Sequence, residues 1–217
     1  MYSLRLFHDH LPSGAKVQPI ESQHAFYYVF KGAVEINGEK VEQDNAVYSM
    51  DIANIRSLEQ DTTIWRFELV RTDSPLAYAT GDGVCSELKI RRRVHMFELS
   101  PKTDWFYRLD SIYNRIGTTG LHSHPGCGIR CLLNGNLHVR GSIGENSDNV
   151  NPGDSWFEEG AYPIVSTTYD EIPTGFLRGM LLPVEYAQHR DTVIWLESVP
   201  NTGSSWKSYA QTIVRLL

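Results

Sequence analysis

The feature that most limits how this chain can fold is an internal repeat marked by glycines. Gly14, Gly32 and Gly38 are matched by Gly117, Gly135 and Gly141 at one constant separation. The segments HAFYYVFKGAVEING (24–38) and CGIRCLLNGNLHVRG (127–141) line up on that separation. Downstream, DNAVY (44–48) lies over PGDSW (152–156). TTIWRFELV (62–70) then lies over TGFLRGMLL (174–182), which sets Arg66 over Arg178. The separation grows only between segments, where loops tolerate insertion. Glycines in register mark turns that need a positive φ or close backbone approach. The chain therefore reads as two copies of one unit.

The unit is a β structure. Helical periodicity is nearly absent. Short runs such as AFYYVF, IWRFELV, VHMFEL and GIRCLL are broken by Gly, Asn, Asp and Pro every ~8–12 residues, the pattern of an all-β sandwich or barrel. Asn-Gly at 37–38 and 134–135 suits tight turns. The expected division is a first unit over 1–80, a linker over 81–93 and a second unit over 94–217. The basic run KIRRR (89–93) is read as part of the solvated linker.

A net charge of −6 argues against a nucleic-acid or membrane-surface binder. No apolar run approaches the ~20 residues of a membrane span, and MYSLRLFHDH lacks the shape of a signal peptide. Three cysteines are an odd, sparse set, which suggests reduced thiols and a cytoplasmic protein. The apolar run QTIVRLL (211–217) ends the chain as a strand, and such edges are usually covered; a homodimer is the expectation.

Chemistry concentrates in HSHPGCGIRCLLNG (122–135). In a strand, alternate side chains share a face, so His122 and His124 point together. Two imidazoles suit Zn, Fe, Ni, Mn or Cu. Two donors hold a metal poorly, and three residues are candidates for a third: Glu158, Cys127 and His138. Glu158 is preferred, since two histidines and a carboxylate make an open site for a divalent ion. Arg130 should face the same interior, where a guanidinium needs a carboxylate from the protein or from a ligand. Arg178 is a similar case. Tyr113 and Arg115 could line the mouth, and Trp156 the wall. The HDH at 8–10 lies out of register and reads as surface. No nucleotide-binding loop and no nucleophile motif is found.

Together, HSHPG…LLNG and NPGDSWFEEGAYPI (151–164) resemble the two sequence motifs of the cupin superfamily. With the repeat, the whole chain resembles a bicupin: two tandem double-stranded β-helix, or jelly-roll, barrels. That resemblance implies one divalent metal ion (Fe, Ni, Mn or Zn) in the second barrel. It also implies an enzyme acting on a small anionic, often carboxylated, molecule, with Glu158 as metal ligand or general base. The alternative is a non-catalytic ligand-binding or sensing protein. Two of the family's usual ligands are replaced, the Glu by Gly128, or by Ile129 if the spacing is one residue longer, and the third His by Ile164. In the first copy the matching positions hold Pro19, Glu21 and Ala25, so its barrel is expected to carry no metal motif.

Overall fold

The computed structural model describes residues 1–94, 104–114, 117–141, 147–168, 173–189, 192–197 and 204–216. It divides the chain into two compact units, Met1–Val94 and His95–Leu217. Both are built of antiparallel strands, and the fold is all-β, as expected.

The first unit contains β1 (Tyr2–Leu11), β2 (Lys16–Lys31), β3 (Ala33–Ile36), β4 (Glu39–Glu42), β5 (Ala46–Ser57), β6 (Thr62–Arg71) and β7 (Cys85–Arg93). They form one sheet in the order β4-β3-β5-β2-β6-β1-β7. β2 and β5 are long and slip register between Val17 and Ile20 and again between Ser22 and His24. Such bulges bend a strand. One continuous strand can then serve both walls. Leu11, Val17, Ile20, Tyr27, Val29, Val34, Ile36, Ile55 and Ile64 pack as an apolar cluster.

The second unit contains β8 (Asp104–Asn114), β9 (Gly117–Thr118), β10 (His122–Ser123), β11 (Gly128–Asn134), β12 (Leu137–Gly141), β13 (Ser147–Val150), β14 (Ser155–Glu158), β15 (Ile164–Thr168), β16 (Thr174–Pro183), β17 (Ile194–Trp195) and β18 (Ser205–Arg215). One sheet runs β14-β11-β16-β8-β18. The other runs β13-β12-β15-β10-β17, with β9 on β15.

The pairings make the repeat physical. β1 lies between β6 and β7, as β8 lies between β16 and β18. β2 corresponds to β10 and β11 together, and β5 to β14 and β15. Where the first copy bends a strand, the second breaks it, and the breaks carry HSHPG and EEGAYP. The glycines have the expected use. Gly32 and Gly135 have φ of +82° and +79°. A Cβ on them would lie 2.6 Å and 2.5 Å from the hydroxyls of Thr62 and Thr174, themselves a repeat-matched pair.

Three expectations change. Cys85–Arg93, read as linker, is strand β7, paired along β1 from Ser3–Arg93 to His10–Cys85. Its last arginines are exposed, as a solvated run should be, but the backbone belongs to the first sheet. His8, read as surface, is buried and stacked on Trp65 at 4.7 Å. The end of the chain, taken as a free edge, is paired along β8 of its own unit through Arg215–Asp104. The strand reason for a dimer is therefore met on that side within the chain. Cys127 and Cys131 are buried free thiols, and Cys85 an exposed one. Among the described residues, no helix is long and apolar enough to cross a membrane.

The first unit neutralises its buried charge internally. Arg66 pairs with Asp9 at 2.9 Å and with Glu68, and Arg5 lies 3.7 Å from Glu68. Arg5 also donates to the carbonyls of Ser74 and Pro75.

Replacing Gly32 or Gly135 by Ala should lower stability by about 1–3 kcal/mol each, through left-handed strain and crowding of the threonine; denaturant midpoints check this. Acid should also weaken the fold. Burial, then Lys89, push the His8 pKa down to about 3 from an ordinary 6.5. Between those values the unfolded chain binds a proton that the folded chain refuses. Stability should fall as pH drops from about 6.5 toward 3, and His8→Gln should flatten the slope of melting temperature against pH.

Candidate functional site

A cavity of about 350 Å³ lies between the two sheets of the second unit. β11 lays Arg130 directly opposite Trp156 of β14 and Arg178 of β16, and Arg178 is opposite Asp110 of β8. One row of side chains thus runs Trp156, Arg130, Arg178, Asp110 across the sheet. The Trp and both arginines line the cavity. His122 and His124 enter from the other sheet, where β10 pairs with Ile164 of β15 and with Ile194 and Trp195 of β17. Trp195, Trp206, Phe176, Leu137, Val139 and Ile112 complete much of the wall.

The arginines are fully buried, and each has a carboxylate. The Arg130 Nη2 lies 2.6 Å from Glu158 Oε2. Arg178 donates Nε and Nη2 to the two oxygens of Asp110 at 2.8 and 2.9 Å, and its guanidinium lies 4.5 Å over the Trp206 ring. Asp110 is shared: Arg108 Nε approaches it at 3.0 Å, while Arg108 also donates to Thr192 and to the His189 carbonyl. Glu158 Oε1 accepts the Trp156 indole N–H at 2.8 Å. Burial alone would raise the Glu158 pKa; Arg130, His124 and the Trp156 N–H overcome it and hold the carboxyl well below its usual range. Desolvation lowers the Arg130 pKa, opposed by Glu158, but a guanidinium stays charged.

Both histidines are neutral near pH 7. Burial lowers His122 and brings His124 down to about 4. His122 Nδ1 is 2.8 Å from the Gly120 carbonyl. His124 has an acceptor at either end, Thr192 O at 3.2 Å from Nδ1 and Glu158 Oε2 at 3.4 Å from Nε2. One ring proton serves only one of them.

The buried charged side chains described in this unit are Arg108, Arg130, Arg178, Asp110 and Glu158, and two of the arginines, Arg130 and Arg178, face each other on the cavity wall. Three guanidinium nitrogens at the cavity, Arg130 Nε and Nη2 and Arg178 Nη1, are buried and make no aligned hydrogen bond among the described residues. Of these, Arg130 Nη2 meets Glu158 as a charge contact only. An unpaired buried donor costs about 1–3 kcal/mol.

The donor types expected for a metal are present: neutral imidazoles and an ionised carboxylate. The arrangement and the charge do not suit one. No three His, Cys, Asp or Glu side chains are gathered around one point among the described residues. Both Glu158 oxygens already face N–H groups, and an ion beside them would lie against the Arg130 guanidinium. The residues as placed do not fit a metal.

The other candidates separate cleanly. Glu158 reaches the interior from the strand next to Gly128, its direct cross-strand partner, rather than from an opposite wall. Tyr113 is not at the mouth; its ring covers Gly175, while its neighbours Ile112 and Asn114 line the cavity. Arg115 lies outside the described residues. His138 sits beside Asp148 at 3.4 Å, away from the cavity lining, and burial pushes the Cys127 thiol up to about 12, so it is no thiolate donor. Asp110 and Trp206 were missed. The Arg66–Arg178 match was a usable signal for Asp110, because Arg66 has its own buried partner in Asp9, on the strand that β8 repeats.

No family model matches the chain, and no curated protein matches it in sequence. Solved structures do match. Oxalate decarboxylase of Lactobacillus farciminis, in a formate complex, is 12% identical with a TM-score of 0.58, over 88% of this chain and 79% of that one. A mutant of salicylate 1,2-dioxygenase from Pseudoaminobacter salicylatoxidans is 11% identical with a TM-score of 0.55, over 95% and 74%. Vicilin of Capsicum annuum is 11% identical with a TM-score of 0.58, over 92% and 80%. The likeness is one of fold. Two enzymes and a protein named only as vicilin share it, so the fold does not choose an activity.

Changing Glu158 to Gln should destabilise the second unit by about 3–5 kcal/mol, because it leaves the Arg130 charge buried without its partner. Calorimetry of the full chain checks this; a melting temperature within a degree or so of wild type at neutral pH would contradict the buried pair.

Proposed function

We propose that the second barrel binds a small molecule carrying a single carboxylate. The observation that carries it is the facing pair of buried arginines on the cavity wall, Arg130 and Arg178, with guanidinium N–H groups that have no aligned acceptor among the described residues. A carboxylate is planar and takes paired N–H donors, which suits an arginine fork. The volume and a wall that combines polar groups with three tryptophans suit a compact ligand with a charged head and an apolar or aromatic body. The two enzymes of like fold, whose names refer to oxalate and salicylate, are in keeping with a carboxylate ligand, though at 11–12% identity they argue only for the type of cavity.

For chemistry, the cavity offers His124 and Glu158. They stand 3.4 Å apart beside the arginines, with the His neutral and the carboxyl ionised. A proton placed on His124 Nε2 by a bound acid would be held by the Glu158 carboxylate. The chain's own residues can thus fix a carboxylate, exclude water with the tryptophans and hold one proton at a defined nitrogen. Binding alone satisfies every observation, and a ligand-binding or sensing protein is proposed ahead of an enzyme.

Benzoate should raise the melting temperature of the full chain, and the isosteric neutral benzamide should not. Arg178→Met leaves Asp110 with Arg108 and removes one of the two facing guanidiniums, so it should weaken benzoate by about tenfold or more, as losing a charged hydrogen bond does. Equal responses to benzoate and benzamide would sink the carboxylate assignment.

A further inference from the structure

We infer that the Arg130 guanidinium stands where a metal cation would stand, so that the second barrel carries a built-in, non-removable cation and binds its ligand without metal. The inference rests on the carboxylate pocket only for what the cation attracts.

The first observation is at Gly128. A Cβ there would lie 2.5 Å from the Gly179 carbonyl and 3.1 Å from Arg130 Nη1. The guanidinium therefore lies over the α-carbon of the residue two before it. It is pinned there by a 2.6 Å hydrogen bond from Nη1 to the Gly128 carbonyl. The space where a side chain at 128 would begin is bounded by this head group and by the β16 backbone. Loss of a side chain at 128 and the inward arginine at 130 are one arrangement.

The second observation is what the head group touches. Its Nη2 meets Glu158 Oε2, and that same oxygen lies 3.4 Å from His124 Nε2. A carboxylate and an imidazole thus point at a common region, as ligands do, and the positive group that answers the carboxylate is Arg130. The third is charge. Like unit charges a few ångströms apart in a protein interior repel several-fold more strongly than they do in water. A divalent ion against Arg130 would face twice that, with no further buried carboxylate described in the unit beyond Asp110 and Glu158. Guanidinium supplies the charge and directed donors, and it has neither open coordination positions nor redox change.

The test uses the full chain without a histidine tag, loaded separately with Mn²⁺, Zn²⁺ and Ni²⁺, desalted and assayed by mass spectrometry for bound metal. Wild type should retain none stoichiometrically, and its benzoate response should be unchanged by EDTA. Arg130→Gln removes the charge and releases the Glu158 carboxylate to turn toward the histidines, so it should gain a stoichiometric ion through Glu158 and the histidines. Adding Glu158→Gln to it should abolish that gain. Arg130→Lys, which keeps the charge, should remain metal-free. A stoichiometric ion in wild type, removed by EDTA, overturns the inference, and so does a folded Arg130→Gln protein that gains no metal. If Arg130→Gln does not fold, the wild-type and Lys measurements decide alone. Failure of benzoate to bind a metal-free wild type would defeat the carboxylate pocket and leave this inference standing.

Discussion

The contact between Arg130 and Glu158 is the interaction on which the second barrel depends. Neither charge could be buried alone. Gly128 leaves room for the head group, Trp156 holds the other carboxylate oxygen, and His124 borders the pair. The cavity exists because these groups need room around them. In the first unit Tyr27 occupies the position of Arg130, and apolar side chains pack the interior.

Opposed arginines on neighbouring strands are unusual, since like charges facing each other across a ladder are destabilising. Here each is answered at its far side: Arg130 by Glu158 and Arg178 by Asp110. The two guanidiniums form a positive strip flanked by two carboxylates. Such a strip is a preorganised place for a negative group, with donors already oriented and the cost of burying them met by the fold.

The fold was legible because glycine is a backbone signal. Gly32 and Gly135 are needed at left-handed turns against a threonine, so the repeat could be seen without any likeness of side chains. The HSH pair marked the cavity wall directly, since His122 and His124 both line it. Less was legible in the site. That Arg130 points inward follows from alternation, but its curl over Gly128 is a rotamer matter that strand period does not reveal. Tyr113 was misplaced by one step of the same alternation. The strand Cys85–Arg93 was hidden by its charge: its exposed arginines read as linker, yet an edge strand tolerates such residues and is protected by them from pairing further. That the preferred metal donor, Glu158, is engaged by Arg130 and by the Trp156 N–H is a matter of side-chain contacts that ligand spacing does not reveal.

The crowding at Gly128 has a consequence for descent. A glutamate cannot be placed at 128 while the arginine head lies over it and the Gly179 carbonyl presses from the other side, and removing the arginine alone strands Glu158. Each single step is unfavourable, and the Gly179 carbonyl would still crowd a side chain at 128 after the arginine is gone, so the β16 backbone must shift as well. In the lineage of this chain, positions 128 and 130 are therefore expected to covary, with small residues at 128 accompanying arginine at 130.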